Sequence, residues 1–285
     1  MSIQITDLQS PISPTWCPGC GNFSILTALK KALIELNLEA KDVVIVFGIG
    51  CSGNMADFIK TNGFHALHGR AIANAIGIKL ANHRLKVIVT GGDGDLYGEG
   101  FNHLLAAARG NHDISVFVHN NERYSLTTGQ TSPASKKGTV GKSTPQGVIE
   151  EAINPLALAI SANASFVARG FAGQSQELVE LMKQAIMHEG FALVDILQPC
   201  PSFNKTQDNQ WYIEHTQKLK ADYDLSDREQ ALKQVLKKEP IELGVFYQDQ
   251  GRLAYHQELQ QLTDKSLIEQ FPDHLDLQLA IEQFI

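Results

Sequence analysis

Short β-branched runs alternate with helical patterns along most of this chain, and that alternation limits the folds it can adopt. Each run is apolar and ends in turn-forming residues, as buried parallel strands do. The runs are 43–49, 86–92, 113–120, 165–170 and 191–197. The helical patterns are 22–37, 70–83, 98–110, 154–163 and 175–189. Strand–helix–strand alternation predicts an α/β fold with a mostly parallel sheet and helices on both faces.

Two regions depart from this alternation. Residues 124–150 are rich in Ser, Thr, Gly, Pro and Lys, and a loop of that length in a compact domain is usually a lid or a binding loop. After residue 203 the chain becomes polar and charged, with weak helical patterns at 225–237 and 257–270. We therefore predict one domain over 1–205 and a C-terminal extension over 206–285 that lies at a contact between subunits.

The charge and the apolar content exclude several classes of protein. A formal net charge of −7 argues against a nucleic-acid partner. With 43% hydrophobic and 19% charged residues, the chain resembles an ordinary soluble protein. No run approaches the roughly 20 apolar residues of a membrane span, and the first residues lack the pattern of a signal peptide. We therefore expect a cytoplasmic protein without a membrane partner, in which thiols stay reduced.

The most informative segment places oxygen ligands at two successive strand ends. One predicted strand ends at Gly92 and is followed by Asp93, and the next ends at Asn120 and Asn121. Glycines between a strand and a helix leave backbone N–H groups free to bind a phosphate. Because ligands bind at the carboxyl ends of parallel strands, the two ends can converge on one spot. A carboxylate, an amide oxygen and a diphosphate would together suit Mg²⁺.

The spacing within this segment matches the thiamine diphosphate motif. Gly-Asp-Gly is followed by 25 residues and then by Asn-Asn, in the order strand, helix, strand. A calcium loop is an alternative, but Leu104 stands where an EF-hand requires a bidentate Glu. A plain turn followed by a plain strand end is the second alternative.

Four cysteines, at positions 17, 20, 51 and 200, are separated by 2, 30 and 148 residues. Cys51 and Cys200 each follow a predicted strand, at the sheet edge that holds Asp93 and Asn121. The first two cysteines precede the first helix and could fold over that edge. Four thiolates can hold a zinc ion or a [4Fe–4S] cluster. The spacing alone does not choose among a cluster, zinc and unligated thiols.

Five motifs occur in order between residues 15 and 205: WCPGCG, GIGCSG, HALHGRAIANAIGIKLAN, GDGD with NN and YSLTTGQTSP, and QPCPSFN. Together they resemble the β subunits of the 2-oxoacid:ferredoxin oxidoreductases. The resemblance implies a thiamine diphosphate-binding fold with Mg²⁺ and one [4Fe–4S] cluster on Cys17, Cys20, Cys51 and Cys200. It also implies CoA-dependent oxidative decarboxylation of a 2-oxoacid to acyl-CoA and CO₂, with electrons passing through the cluster to ferredoxin.

The resemblance also assigns individual residues to the cofactors. The implied Mg²⁺ ligands are Asp93, Asn121 and the backbone carbonyl of Arg123. The residues that match thiamine diphosphate contacts are Ile49, Gly50, Cys51, Ser52, His68, Gly94, Asp95, Ser125 and Leu126. The substrate-side loop contains Thr127 and Thr128. The histidines that we expect to be structural or solvated are His65, His103, His112 and His119.

Two positions in the loop depart from the family pattern. Ser125 replaces a glycine of many relatives, a change that we expect to leave cofactor binding intact. Thr128 stands where some relatives have Lys, which would pair with the distal carboxylate of 2-oxoglutarate. 2-Oxoglutarate is still our first choice of substrate, because GIGCSG followed by HALHGR is more similar to that branch, and pyruvate is the second.

The motifs lack the glutamate that thiamine enzymes place against the aminopyrimidine ring. We expect Glu99 and Glu122 beside the diphosphate rather than the ring. In the resembled family that glutamate comes from the α subunit, so we predict no catalytic residue here and an active (αβ)₂ assembly. Two other classes stay open, a non-redox thiamine-dependent decarboxylase with structural zinc and a non-catalytic assembly subunit.

Overall fold

A mostly parallel sheet forms the centre of the computed structural model, which describes residues 3–270 and 281–282. The strands are β1 (Val43–Phe47), β2 (Asn62–His65), β3 (Lys86–Gly92), β4 (Ser115–Asn120), β5 (Arg123–Tyr124), β6 (Gln130–Thr131), β7 (Phe166–Phe171), β8 (Ala192–Leu197), β9 (Thr216–Lys218) and β10 (Ile241–Gln248). The main sheet has the order β2-β1-β3-β4-β8-β7-β10-β9. Its neighbouring strands are parallel except for β7 and β10, and β5 pairs with β6 in a separate ribbon.

Helices cover both faces of this sheet. In the described part of the chain they are α1 (Asn22–Glu35), α2 (Ala71–Ala81), α3 (Phe101–Gly110), α4 (Pro155–Ser161), α5 (Ser175–Met187), α6 (Asn209–His215) and α7 (Arg228–Val235). The α1 and α5 helices pack in the apolar core on one face, and α2, α3, α4 and α7 pack in the core on the other. Within the described ranges, no helix is long and apolar enough to cross a membrane.

The apolar runs become central strands because both faces of the sheet are buried. In β1, Val43, Ile45 and Phe47 join the core beside α1 and α5. Val46 joins the core on the opposite face, since successive side chains of a strand point to opposite sides. A strand buried on both faces needs a continuous apolar run rather than alternation of apolar and polar residues.

The α/β fold is confirmed, as are the five predicted strands and the five predicted helices, with ends that shift by at most three residues. The largest shift is at α3, predicted from residue 98 and observed from Phe101. Gly94–Glu99 forms a π-helical turn instead, and the N–H of Gly100 donates to the carbonyl of Asp95 at 2.9 Å. Such turns are frequent at functional sites.

The C-terminal region shares the main sheet with the rest of the chain. The β10 strand pairs antiparallel with β7, with Gly244 opposite Arg169, and β9 pairs with β10. The sheet therefore continues across the predicted boundary at residue 205, a feature that the polar composition of this region concealed. Its role in contacts between subunits stays a prediction, and residues 271–280 and 283–285 of the extension lie outside the described part.

Of the two helical patterns in this region, the first corresponds to α7 and the second is wrong. Residues 255–269 contain short 3₁₀ turns rather than a helix over 257–270. The hydroxyl of Thr263 donates to the carbonyl of Gln260 at 3.0 Å, and Glu269 accepts from the N–H of Ser266 at 3.0 Å. The backbones of Leu259 and Ser266 are extended, with ψ of 108° and 156°, which separates the turns and prevents one continuous helix.

Candidate cofactor and cluster site

A cavity opens where β1, β3, β4 and β8 end. Every residue that the sequence analysis places against thiamine diphosphate lines this cavity: Ile49, Gly50, Cys51, Ser52, His68, Gly94, Asp95, Ser125 and Leu126. Asn121, Arg123 and Thr127 also line it. Asp93 is fully buried and does not line it, and Thr128 lies outside. The structure thus brings most of the predicted cofactor residues to one place.

Asp93 and Asn121 contact each other at neighbouring strand ends. One carboxylate oxygen of Asp93 accepts a hydrogen bond from the backbone N–H of Asn121 at 3.3 Å, and the other accepts from the hydroxyl of Ser132. Burial raises the pKa of Asp93 to about 7, although these hydrogen bonds oppose the shift. A divalent cation would offset the cost of burying this charge, so a hidden carboxylate beside an amide group fits Mg²⁺.

The turn after Asn121 is fixed by its own side chains. The Oδ1 atom of Asn121 accepts from the backbone N–H of Arg123 at 3.0 Å, and Glu122 has a left-handed backbone with φ of 59°. The guanidinium of Arg123 donates to the carbonyls of Phe203 at 3.1 Å and Glu122 at 2.8 Å. The side chain of Arg123 therefore braces the turn, and the metal contact of its carbonyl stays a prediction.

Asp95 is enclosed beside His68 on the other wall of the cavity. Its Oδ1 atom accepts from the N–H of Gly69 at 2.7 Å and lies 2.8 Å from Nδ1 of His68. Burial raises the pKa of this carboxyl, while the N–H of Gly69 and the charge of His68 lower it. Gly48 is required opposite, because a Cβ atom there would lie 1.9 Å from Oδ2 of Asp95.

Three buried polar atoms on the cavity wall have no hydrogen-bond partner among the described residues. They are Oδ2 of Asp95, Oγ of Ser52 and Nε2 of His119. The cost of such an atom is about 1–3 kcal/mol, so a polar ligand in the cavity would satisfy groups that the protein leaves unpaired. This wall fits a cofactor that carries phosphate oxygens and ring nitrogens.

His119 was expected to be structural or solvated, yet it is buried and lines the cavity. Its Nδ1 atom lies 2.7 Å from Oδ1 of Asn22. Burial lowers the pKa of His119 to about 3, which keeps the ring neutral. The available signal was its position at the end of β4, two residues before Asn121.

Three segments that are distant in sequence bring the cysteines to one side of the cavity. The indole N–H of Trp16 donates to the carbonyl of Cys51 at 2.6 Å. The N–H of Gly21 donates to the carbonyl of Pro199 at 3.2 Å. These bonds join the loop before α1 to the loops after β1 and β8, so the first two cysteines lie beside the other two.

The thiols also affect one another electrostatically. Burial, aided by the charges of Cys20, Cys200 and Cys17, raises the pKa of Cys51 to about 11. Burial also raises the pKa of Cys20, with smaller contributions from Cys200 and Cys17. Among the described residues, no three His, Cys, Asp or Glu side chains are grouped as ligands of one metal ion. The four thiols nevertheless share one neighbourhood beside the cavity.

A lysine contacts the predicted substrate-side loop. Thr128 has a φ of 79°, a left-handed conformation that is strained for a β-branched residue. Its hydroxyl accepts a hydrogen bond from the ammonium of Lys142 at 2.8 Å. Lys142 has no carboxylate partner within the described ranges, whereas Lys137 of the same loop lies 3.3 Å from Glu151. An unneutralised cation therefore lies next to Thr128.

Two family models and a curated relative match this chain. The model for the thiamine pyrophosphate enzyme, C-terminal TPP binding domain, matches residues 48–196. The model for the C-terminal part of the pyruvate ferredoxin oxidoreductase beta subunit matches residues 200–264. The 2-oxoacid:ferredoxin oxidoreductase subunit beta of a Sulfolobus species is 46% identical over 258 residues, covering 86% of this chain and 85% of the relative. The chain belongs to the β subunits of the 2-oxoacid:ferredoxin oxidoreductases.

Other relatives of this β subunit have more specific names. The 2-oxoglutarate oxidoreductase subunit KorB of Mycobacterium tuberculosis is 44% identical over 198 residues, which cover 70% of this chain and 53% of the relative. The 2-oxoglutarate:ferredoxin oxidoreductase of Magnetococcus marinus has been solved with 2-oxoglutarate, coenzyme A and succinyl-CoA bound. One of its chains matches this one with a TM-score of 0.91 and 34% identity, covering 99% of this chain and 96% of that chain. This β subunit therefore has the thiamine diphosphate-binding fold and is part of an oxidoreductase, whose naming implies an α partner.

The structure adds four residues to the site that had no predicted role in it, namely His119, Tyr124, Lys142 and Gln198. The hydroxyl of Tyr124 donates to the carbonyl of Gly94 at 3.2 Å. The ring of Tyr124 packs so closely on Gly94 that a Cβ atom at this glycine would lie only 2.4 Å from Cε1 of the ring. The proximity of Tyr124 and Gln198 to the strand ends was a usable signal. The contact of Lys142 depends on how the long loop folds, which no local pattern indicates.

Proposed function

We propose that this β subunit, together with an α subunit, catalyses CoA-dependent oxidative decarboxylation of 2-oxoglutarate to an acyl-CoA and CO₂. Electrons pass through a [4Fe–4S] cluster to ferredoxin. The observation that carries the proposal is the meeting of four cysteines, from three separate chain segments, beside a cavity lined by both glycines of Gly-Asp-Gly and by the second asparagine of Asn-Asn.

The diphosphate end of the cofactor would be held by this chain. Bound thiamine diphosphate supplies carbanion stabilisation. Asp93 and Asn121 would hold Mg²⁺ with the carbonyl of Arg123, and their mutual hydrogen bond keeps the two ligands together. Asp95 would also contact the diphosphate end, and it lies 2.8 Å from His68, which lines the same cavity and would contact the cofactor there.

A [4Fe–4S] cluster suits the four thiols better than zinc does. Zinc binds four ligands at about 2.0–2.3 Å and therefore draws them tightly together. A four-iron cluster separates its thiolates further, because the iron and sulfide atoms lie between them. Zinc is also redox-inactive, whereas this chain belongs to oxidoreductases that are named for ferredoxin, and that membership favours the cluster.

The choice of 2-oxoglutarate rests on Lys142. The Thr128 hydroxyl cannot neutralise a carboxylate, but the ammonium that it binds at 2.8 Å can. This chain therefore has a cation beside the position where some relatives have Lys. The names of the Mycobacterium tuberculosis and Magnetococcus marinus proteins agree with this choice, and pyruvate is the second candidate.

The α subunit would supply the glutamate that faces the cofactor ring. No glutamate of the described residues lines the cavity, and Glu122 is bonded elsewhere, to the side chain of Gln207 at 3.2 Å. An (αβ)₂ assembly would complete the site and leave ferredoxin to accept the electrons.

The proposal is tested by co-expressing the chain with its α partner and purifying both anaerobically. We expect iron and sulfide in the purified complex, and ferredoxin reduction that requires both 2-oxoglutarate and CoA. The β chain alone should show no turnover. A colourless complex with stoichiometric zinc would point to a non-redox decarboxylase, and a brown but inactive complex to an assembly subunit.

A further inference from the structure

Gln198 follows β8 directly and is almost fully buried between the two halves of the site. Its Oε1 atom accepts a hydrogen bond from Nδ2 of Asn121 at 3.2 Å. Its Nε2 atom donates to Sγ of Cys20 at 3.4 Å. One side chain thus contacts both a predicted Mg²⁺ ligand and a predicted cluster ligand.

The orientation of this amide follows from its neighbours. The Oδ1 atom of Asn121 already accepts from the N–H of Arg123 at 3.0 Å and from the hydroxyl of Ser125 at 3.3 Å. The NH₂ group of Asn121 therefore donates to Gln198, which must accept this hydrogen bond with its carbonyl oxygen. The NH₂ group of Gln198 is consequently directed at Cys20.

The chain is shaped to allow this close approach. A Cβ atom at Gly21, next to Cys20, would lie 2.7 Å from Cγ of Gln198, so a side chain there would displace the glutamine. The backbone N–H of Gln198 donates to the carbonyl of Asn120 at 2.9 Å. Gln198 is therefore fixed at both its backbone and its side chain.

We propose that Gln198 is a positioning residue that raises the reduction potential of the [4Fe–4S] cluster through Cys20 and orients Asn121 toward Mg²⁺. This inference rests on the proposed function. An N–H donor stabilises negative charge on a cluster sulfur, and reduction adds one electron to the cluster, so the donor favours the reduced form. Outer hydrogen bonds of this kind also orient metal ligands.

The test uses the anaerobically purified complex with its α subunit and replaces Gln198→Met, which keeps the length of the side chain and removes both polar groups. We expect a more negative cluster potential, measured by redox titration with electron paramagnetic resonance. We also expect Mg²⁺–thiamine diphosphate to bind about 2- to 10-fold more weakly, because the variant loses the hydrogen bond to Asn121 and a single hydrogen bond has a net contribution of this size.

A matched control is Gln207→Met. Gln207 is also a buried glutamine, but its side chain contacts Asn204 and Glu122 rather than a sulfur, so the cluster potential should not change. Gln198→Asn, one methylene shorter with both groups retained, should give a potential closer to wild type than Gln198→Met does.

A Gln198→Met complex with the wild-type potential would overturn the inference. If that variant loses its cluster, Gln198→Leu, which also removes both polar groups, takes its place, and a wild-type potential in that complex would equally overturn the inference. Failure of the proposed function can be distinguished from failure of this inference by the iron content of the wild-type complex. A wild-type complex without iron would contradict the proposed function before any variant is compared.

Discussion

The two sides of the cavity are built differently. The diphosphate side (residues 92–95 and 119–121) is formed by the ends of β3 and β4, where Gly92 pairs with His119 in the sheet ladder. The cysteine side (residues 15–21, 50–52 and 198–201) is formed by three loops that a few hydrogen bonds join. Residues at the ends of paired strands are held in position by the hydrogen bonds of the whole sheet. The positions of residues in the three loops depend on each of the few bonds that join the loops. We therefore expect the two sides to fail independently, apart from the contact that Gln198 makes with both.

The largest effect should come from removing a thiol. Replacing Cys20→Ser deletes one of the proposed cluster ligands, so we expect loss of the brown chromophore and of ferredoxin reduction. Mg²⁺–thiamine diphosphate should still bind, because Asp93 and Asn121 belong to the other side. Iron analysis and titration with thiamine diphosphate measure the two results.

Cys17→Ser is the companion variant and should behave in the same way. Cys17 is the exposed member of the set, so its replacement disturbs little packing. A brown, active Cys20→Ser complex would show that the thiol is not a cluster ligand.

The reciprocal variant is Asp93→Asn, which keeps the side-chain size and removes the buried carboxylate. Loss of an outer partner of a metal ligand costs about 10- to 100-fold in affinity, so loss of a ligand itself should weaken Mg²⁺–thiamine diphosphate binding by more than about 100-fold. The cluster should remain, as measured by iron content and electron paramagnetic resonance. Loss of iron together with thiamine diphosphate would contradict the independence of the two sides.

The diphosphate side was the more predictable from sequence. Asp93 and Asn121 follow apolar runs within one strand–helix–strand unit, so the rule for ligands at parallel strand ends predicts that they can converge, as their hydrogen bond shows. The same strand rule predicts the edge for Cys51 and Cys200, whereas Cys17 and Cys20 precede the first helix, and the assignment of all four to a cluster comes from resemblance. Contacts such as Trp16 with Cys51, or Lys142 with Thr128, depend on loop paths, and β10 was hidden by its polar neighbours.

A smaller effect should come from the loop that contacts Thr128. Replacing Lys142→Met removes the ammonium, and a hydrogen bond to a charged group contributes about 1.5–3 kcal/mol. We expect the KM for 2-oxoglutarate to rise by about 10- to 100-fold while turnover of pyruvate, which has no distal carboxylate, is unchanged. The control is Lys137→Met, because Lys137 already pairs with Glu151. Equal losses with both substrates would exclude Lys142 as a determinant of specificity.

The smallest effect should come from a substitution that tests how tightly the diphosphate side is packed. Gly48 follows β1, and a Cβ atom there would lie 1.9 Å from Oδ2 of Asp95. Asp95 is buried and fixed by Gly69 and His68, so it has little room to move. Overpacking of this kind typically costs about 1–3 kcal/mol, so we expect Gly48→Ala to lower the free energy of unfolding by that amount.

Gly77→Ala provides the matched comparison. Gly77 lies within α2, and nothing lies within 4 Å of a Cβ atom at that position. Because Ala is favoured over Gly in a helix interior by about 0.5–1 kcal/mol, Gly77→Ala should raise the free energy of unfolding. Chemical denaturation of both variants measures the two signs. Equal stability of the two alanine variants would mean that Asp95 can move to accommodate the added methyl group. The diphosphate side would then be no more rigid than the loops of the cysteine side.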